Sequence, residues 1–169
     1  MDPSARAAGA TQSQWQLLTT RRFLPFFLAQ FAGAFNDNLL RNALVIMATF
    51  GAAANGAQAA SDGLVANAAA ALFMLPYFLF SALAGQLADK YEKSQLIRGL
   101  KLTELAIMLA AAIGFWIGSV PLLLGLLFAL GMQASLFGPV KYALLPQHLL
   151  PSELVGGNAW IDTGTFLAI

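Results

Sequence analysis

Apolar residues fall in long runs along this chain, without the every-second-residue alternation of a half-buried strand. The first run extends from about Phe23 to Phe50 and is interrupted by Asn36-Asp37-Asn38 and by Arg41. A second covers Leu64 to Leu87, a third Leu96 to Ile117, and a fourth Pro121 to about Leu145, past the Gly138-Pro139 pair. A fifth opens near Asn158 and is still apolar at Ile169. Crossing a hydrocarbon core takes about 20 mostly apolar residues per helix, and the first four runs reach that length. Strands of a membrane barrel would be about 9–11 residues long with a two-residue period. Pro121 sits where proline is favoured, in the first turn of a helix. The pattern predicts an all-α membrane protein with four complete transmembrane helices and the start of a fifth. Residues 1–22 are expected to form a cytoplasmic tail, and 23–169 one truncated transmembrane domain.

Composition agrees and narrows the chemistry. Hydrophobic residues make up 59% of the chain and charged ones 10%, against roughly 45–50% and about 25% in soluble domains. With no cysteine and a single histidine, His148, the chain has no thiol nucleophile, no disulfide and no His- or Cys-rich metal site. No metal, no cofactor and no nucleic-acid partner is expected. The apolar run after Arg21 and Arg22 lacks a short core with a small-residue cleavage site, so it reads as a membrane helix rather than a leader. Arg6, Arg21 and Arg22 precede the first run, and Lys90, Lys93, Arg98 and Lys101 cluster around the second connection, with Lys141 late in the fourth run. The stretches 51–63 and 118–120 carry no Lys or Arg. By the positive-inside rule the N-terminus is cytoplasmic and alternate connections lie inside.

Charges within a span are costly and mark a cavity or a partner. Asp37 lies 14 residues past Phe23, about 21 Å along a helix. Gln30, Gly33, Asp37, Arg41 and Leu44 recur at helical spacing, with Asn36, Asn38 and Asn42 beside them. This polar side either walls a water-accessible cavity or is scaffold, with Asp37 and Arg41 paired four residues apart. Glu104, three residues after Lys101, reads as half of a structural pair near the headgroups. Gln133 and Ser135 are expected to bond between helices. Asp162 is either a polar residue at the start of a helix or a cavity carboxylate. Lys141 and Tyr142 follow Gly138-Pro139, where a proline kinks or ends a helix. Lys141 then either snorkels or meets an anionic headgroup or a carboxylate such as Asp37 or Asp162. His148 is expected in a solvated loop with Pro146, Pro151 and Glu153.

The stretch Gly85-Gln86-Leu87-Ala88-Asp89-Lys90-Tyr91-Glu92-Lys93, expected as the loop between spans two and three, resembles the signature of the major facilitator superfamily. That resemblance implies the N-terminal part of a major-facilitator helical bundle. It also implies that Asp89 docks on a neighbouring helix end while Lys90 and Lys93 anchor the inner loop. A carboxylate is favourable at a helix N-terminus. Phe35-Asn36-Asp37-Asn38, with Phe137-Gly138-Pro139-Val140-Lys141-Tyr142 and Leu145-Pro146-Gln147-His148, is similar to bacterial lysophospholipid transporters. The likeness is greatest to forms fused to an acyltransferase and acyl-ACP synthetase, and Asp162 stands where that family usually has Glu. The resemblance implies movement of lysophospholipid, chiefly lysophosphatidylethanolamine, across the inner membrane for reacylation. Asp37 and Lys141 would contact the headgroup or gate the path, and Phe31, Phe35 and Phe137 would line the acyl chain. Membrane lipid, further helices of the same protein and a fused or associated acyltransferase would be its partners. Two alternatives remain: a proton-coupled exporter of a drug or metabolite, and the membrane anchor of a fused acyltransferase. The chain contains no nucleophile–base pair, so this segment is not expected to be an enzyme.

Overall fold

A computed structural model describes residues 14–54 and 60–169. After a short 3-10 helix at Gln14–Thr19 come five α-helices: α1 Leu24–Ala54, α2 Ala60–Lys90, α3 Lys93–Trp116, α4 Val120–His148 and α5 Leu154–Ala168. No strand occurs among the described residues. Each apolar run has become a helix, and several outrun the boundaries read from the sequence. The α2 helix begins at Ala60 rather than Leu64. The α4 helix passes both Pro139 and Pro146 without ending, and His148 is its last residue rather than part of a loop. A proline removes one backbone hydrogen bond but does not stop a helix whose remaining turns are held by packing. Residues 1–13 of the expected tail and 55–59 of the expected outer connection lie outside the described residues.

Two helices, the Gly63–Lys90 part of α2 and all of α4, are long and apolar enough to cross a membrane. The four-span expectation is met at that level by these two. The α1 and α3 helices are interrupted by Asp37 and Arg41 and by Lys101 and Glu104, and α5 has only 15 residues.

The chain divides into two compact units, one of residues 1–35 and 142–169 and the other of residues 36–141. In the second, Leu40 and Leu44 of α1, Ala69 and Phe73 of α2, Ile107 and Ala111 of α3, and Leu123, Leu127 and Leu130 of α4 form the core. The backbones of α2 and α4 approach so closely that a Cβ on Gly131 would strike the Phe73 carbonyl oxygen. The α3 helix is apolar on both its buried and its exposed face. Its buried face is Leu100, Glu104, Ile107, Ala111 and Gly114, while Leu102, Leu105, Leu109, Ile113 and Trp116 are exposed. In the first unit, Leu17, Phe23, Leu145, Leu149 and Ile161 pack together. There Trp15 stands edge-on to Trp160 at 4.8 Å, and buried Gln30 donates from Nε2 to Thr165 Oγ1 at 3.3 Å.

The ends of α3 are closed locally. At its C-terminus, Gly118 adopts φ +66, and Gly118 N–H and Ser119 N–H return to the carbonyls of Phe115 and Gly114, a Schellman closure. The spacing of Gly114 and Gly118 therefore reflects two jobs: Gly114 packs on Leu123, and Gly118 makes the turn. At the N-terminus, Glu92 accepts from Gln95 N–H at 2.8 Å and Ser94 N–H at 3.1 Å. These two bonds, led by that from Gln95, hold the Glu92 carboxyl below its usual range. Because the folded pKa is depressed, the cap contributes stability above the ordinary carboxylate range and loses it as pH falls through the lowered value. Glu92→Ala should thus lower the unfolding temperature at about pH 7, and the gap from the parent should close in acid, as thermal melts across pH would record.

Candidate functional site

The polar face of α1 is inward, as its spacing implied. Gln30, Gly33 and Leu44 are buried and Asp37 and Arg41 partly so, while Phe35, Leu39 and Ile46 are exposed. The site is best defined within the unit of residues 36–141, where a buried carboxylate on α3 gathers side chains from two other helices. Glu104 Oε1 accepts from Asn36 Nδ2 at 3.2 Å. Its Oε2 accepts from Lys101 Nζ at 2.6 Å and from Gln133 Nε2 at 3.2 Å. Gln133 also donates to the Leu100 carbonyl at 3.3 Å, so one amide ties α4 to α3 twice. The Lys101 ammonium lies 4.6 Å from the Phe137 ring centroid, a cation–π contact that keeps the charge beside the carboxylate. Asp37, next to Asn36 in the chain, feels the charges of Glu104, Lys101 and Arg41, and Tyr77 of α2 feels that of Asp37.

Two pairings differ from those expected, and one matches in partner but not in setting. The guanidinium of Arg41 turns to Asn38 Oδ1 at 2.6 Å rather than closing an ion pair with Asp37. Ser135 bonds back to the Met132 carbonyl of its own helix at 2.8 Å rather than across helices. Glu104 keeps its expected partner Lys101 but is 5% exposed, so it is no snorkelling surface group. Phe137 is likewise occupied by the Lys101 cation, and Phe35 is half exposed.

The remaining expected site residues are dispersed. Lys141 is partly buried on α4, two residues past Pro139. Asp162 is exposed in the middle of α5, eight residues after the helix begins at Leu154, so it does not open the helix; its Oδ1 accepts from Tyr142 Oη at 3.1 Å. The facilitator-like stretch is helix rather than loop: Gly85, Asp89 and Lys90 end α2, Lys93 begins α3, and only Tyr91 and Glu92 connect them. Asp89 is exposed in the last turn of α2, and the carboxylate on the helix N-terminus is Glu92. At the other unit's polar end, Arg22 Nη2 meets Glu153 Oε1 at 2.5 Å, and Glu153 Oε2 accepts from Leu150 N–H at 2.8 Å.

Asp37, Glu104, Asn36, Gln133, Lys101 and Arg41 thus place polar and charged groups on the buried or partly buried side of otherwise apolar helices. The chain is similar to the lysophospholipid transporter LplT. The relative from Salmonella paratyphi B is 28% identical over 153 residues, 89% of this chain and 34% of that protein. Those from Salmonella newport and Salmonella heidelberg match at the same identity over the same lengths. The chain thus spans about a third of the length of the curated relatives it matches. No protein-family model matches the chain, and no solved structure does.

Beside Asp37, the residues that sequence reasoning undervalued are Glu104, Lys101 and Gln133. A signal was available for Glu104: it shares helical register with Leu100, Ile107 and Ala111, while Leu102, Leu105 and Leu109 fall on the other side. A charge on the side of a span away from its leucines points inward.

Proposed function

We propose that this chain is the first part of a major-facilitator-type transporter that carries lysophospholipid across the bacterial inner membrane for reacylation. Its N-terminus lies in the cytoplasm and its five helices span or enter the bilayer. The apolar outward face of α3 carries the reading. Glu104 is buried while Leu102, Leu105, Leu109 and Trp116 face outward, an arrangement suited to a lipid surround and costly in water. The similarity to LplT supplies the substrate class. Alternating access needs a second helical half across a midplane site, and the unit of residues 36–141 would contribute to one wall of that site. Asp37 complements the ammonium of a zwitterionic headgroup, and Lys141 its phosphate. In proteoliposomes holding the full-length protein, Asp37→Ala and Lys141→Ala should each cut lysophospholipid movement by roughly tenfold or more. Full-rate movement by both variants at equal protein levels would remove these two residues from the path.

A second reading, a proton-coupled facilitator, draws support from Asp37 and Glu104, two inward carboxylates in electrostatic reach of one another. Such a protein would slow when the pH gradient across the vesicle is collapsed, and a passive lysophospholipid carrier would not.

A further inference from the structure

Between α1 and α2, within the unit of residues 36–141, lies a cleft of about 470 Å³ lined by Arg41, Asn42, Val45, Ile46, Ala66 and Ala70. That volume is in the range of pockets for small ligands, roughly 300–1,000 Å³. Its lining is amphiphilic along the helix axis. The cation and amide of Arg41 and Asn42 are followed one turn later by Val45 and Ile46, about 6 Å farther along α1. On the facing wall, Ala66 and Ala70 are one turn apart and offer only methyl groups, which leaves the space open. Arg41 commits Nη2 to Asn38, which holds a planar group of five donors at the cleft. Asn42, Ile46 and Ala70 are exposed, so the cleft opens outward, away from the core around Leu40 and Leu44. Arg41 is 17 residues past the start of α1 at Leu24, about 26 Å along the helix. In a hydrocarbon core about 30 Å thick, that is close to the headgroups on the far side.

We propose that this cleft is a lateral lipid site, binding the phosphate of a single-chain phospholipid on Arg41 and Asn42 and its chain against Val45, Ile46, Ala66 and Ala70. The proposal rests on the lysophospholipid reading above and adds where the lipid docks.

The test uses the full-length protein in nanodiscs, with radiolabelled lysophosphatidylethanolamine and monoacylglycerol of the same chain as probes. Arg41→Ala should weaken lysophosphatidylethanolamine about tenfold or more, the loss of a charge-assisted hydrogen bond, and leave monoacylglycerol unchanged. Ala70→Phe, which fills the cleft from an exposed wall and leaves the charges alone, should weaken both probes. Unchanged lysophosphatidylethanolamine affinity in both variants would overturn the cleft and leave the transporter reading standing. Displacement of the lipid by excess inorganic phosphate would make this a free-anion site and overturn it as well. No lysophosphatidylethanolamine binding by the parent protein would overturn both readings together.

Discussion

Glu104→Ala should destabilise the protein by about 3 kcal/mol or more, which equilibrium unfolding in detergent would measure. Truncation removes the acceptor for three side chains at once, Asn36, Lys101 and Gln133. It also leaves the Lys101 ammonium, 23% exposed, without its carboxylate. Breaking one side of a buried pair is worse than lacking the pair, because the surviving charge keeps its desolvation penalty. The rank order of variants is therefore diagnostic. Glu104→Gln, which retains a carbonyl acceptor, should cost less than Glu104→Ala. Adding Lys101→Met to Glu104→Leu should recover part of the loss. A Glu104→Ala protein that unfolds with the parent would mean that the carboxylate is not what joins α1, α3 and α4.

The second large effect is at Gly131. Gly131→Ala places a methyl group on the main chain of α2, at the Phe73 carbonyl oxygen and within 3.2 Å of Phe73 Cα. A backbone cannot swing aside as a side chain does, so the helices must separate and the core around Phe73, Leu127 and Leu130 must loosen. Overpacking of this kind costs about 1–3 kcal/mol, and a leucine at the same place should prevent folding. Gly114→Ala is the internal control. Its methyl would meet Leu123 Cδ2 at 2.8 Å, the end of a side chain that can rotate away, so the loss should be smaller. Phe73→Ala should not rescue Gly131→Ala, because the obstructing atoms belong to the backbone. Rescue would show that the ring, not the chain path, sets the helix spacing.

Both sites illustrate which features could be read without coordinates. The inward face of α1 was legible because Gln30, Gly33, Asp37, Arg41 and Leu44 repeat at helical spacing, and their burial follows from that spacing. The helix ends were less so. Gly138-Pro139 looks like a break, yet α4 runs on to His148. The Gly85–Lys93 stretch looks like a loop, yet all but Tyr91 and Glu92 are helical. Local composition marks where a helix is free to stop, and the helix stops only where nothing beyond it repays further turns.

The residues by themselves determined that this protein is a set of apolar helices, that charge is scarce, and that the polar side of α1 faces inward. Periodicity and length suffice for those conclusions, since each concerns residues close together in the chain. Only the tertiary structure decided that Glu104 rather than Asp37 gathers the polar groups, that Arg41 turns to Asn38, and that Gly131 seats the backbone of α2. Asn36 and Gln133 stand 68 and 29 positions from Glu104. A pairing over such separations is set by how helices pack, and no local pattern encodes it.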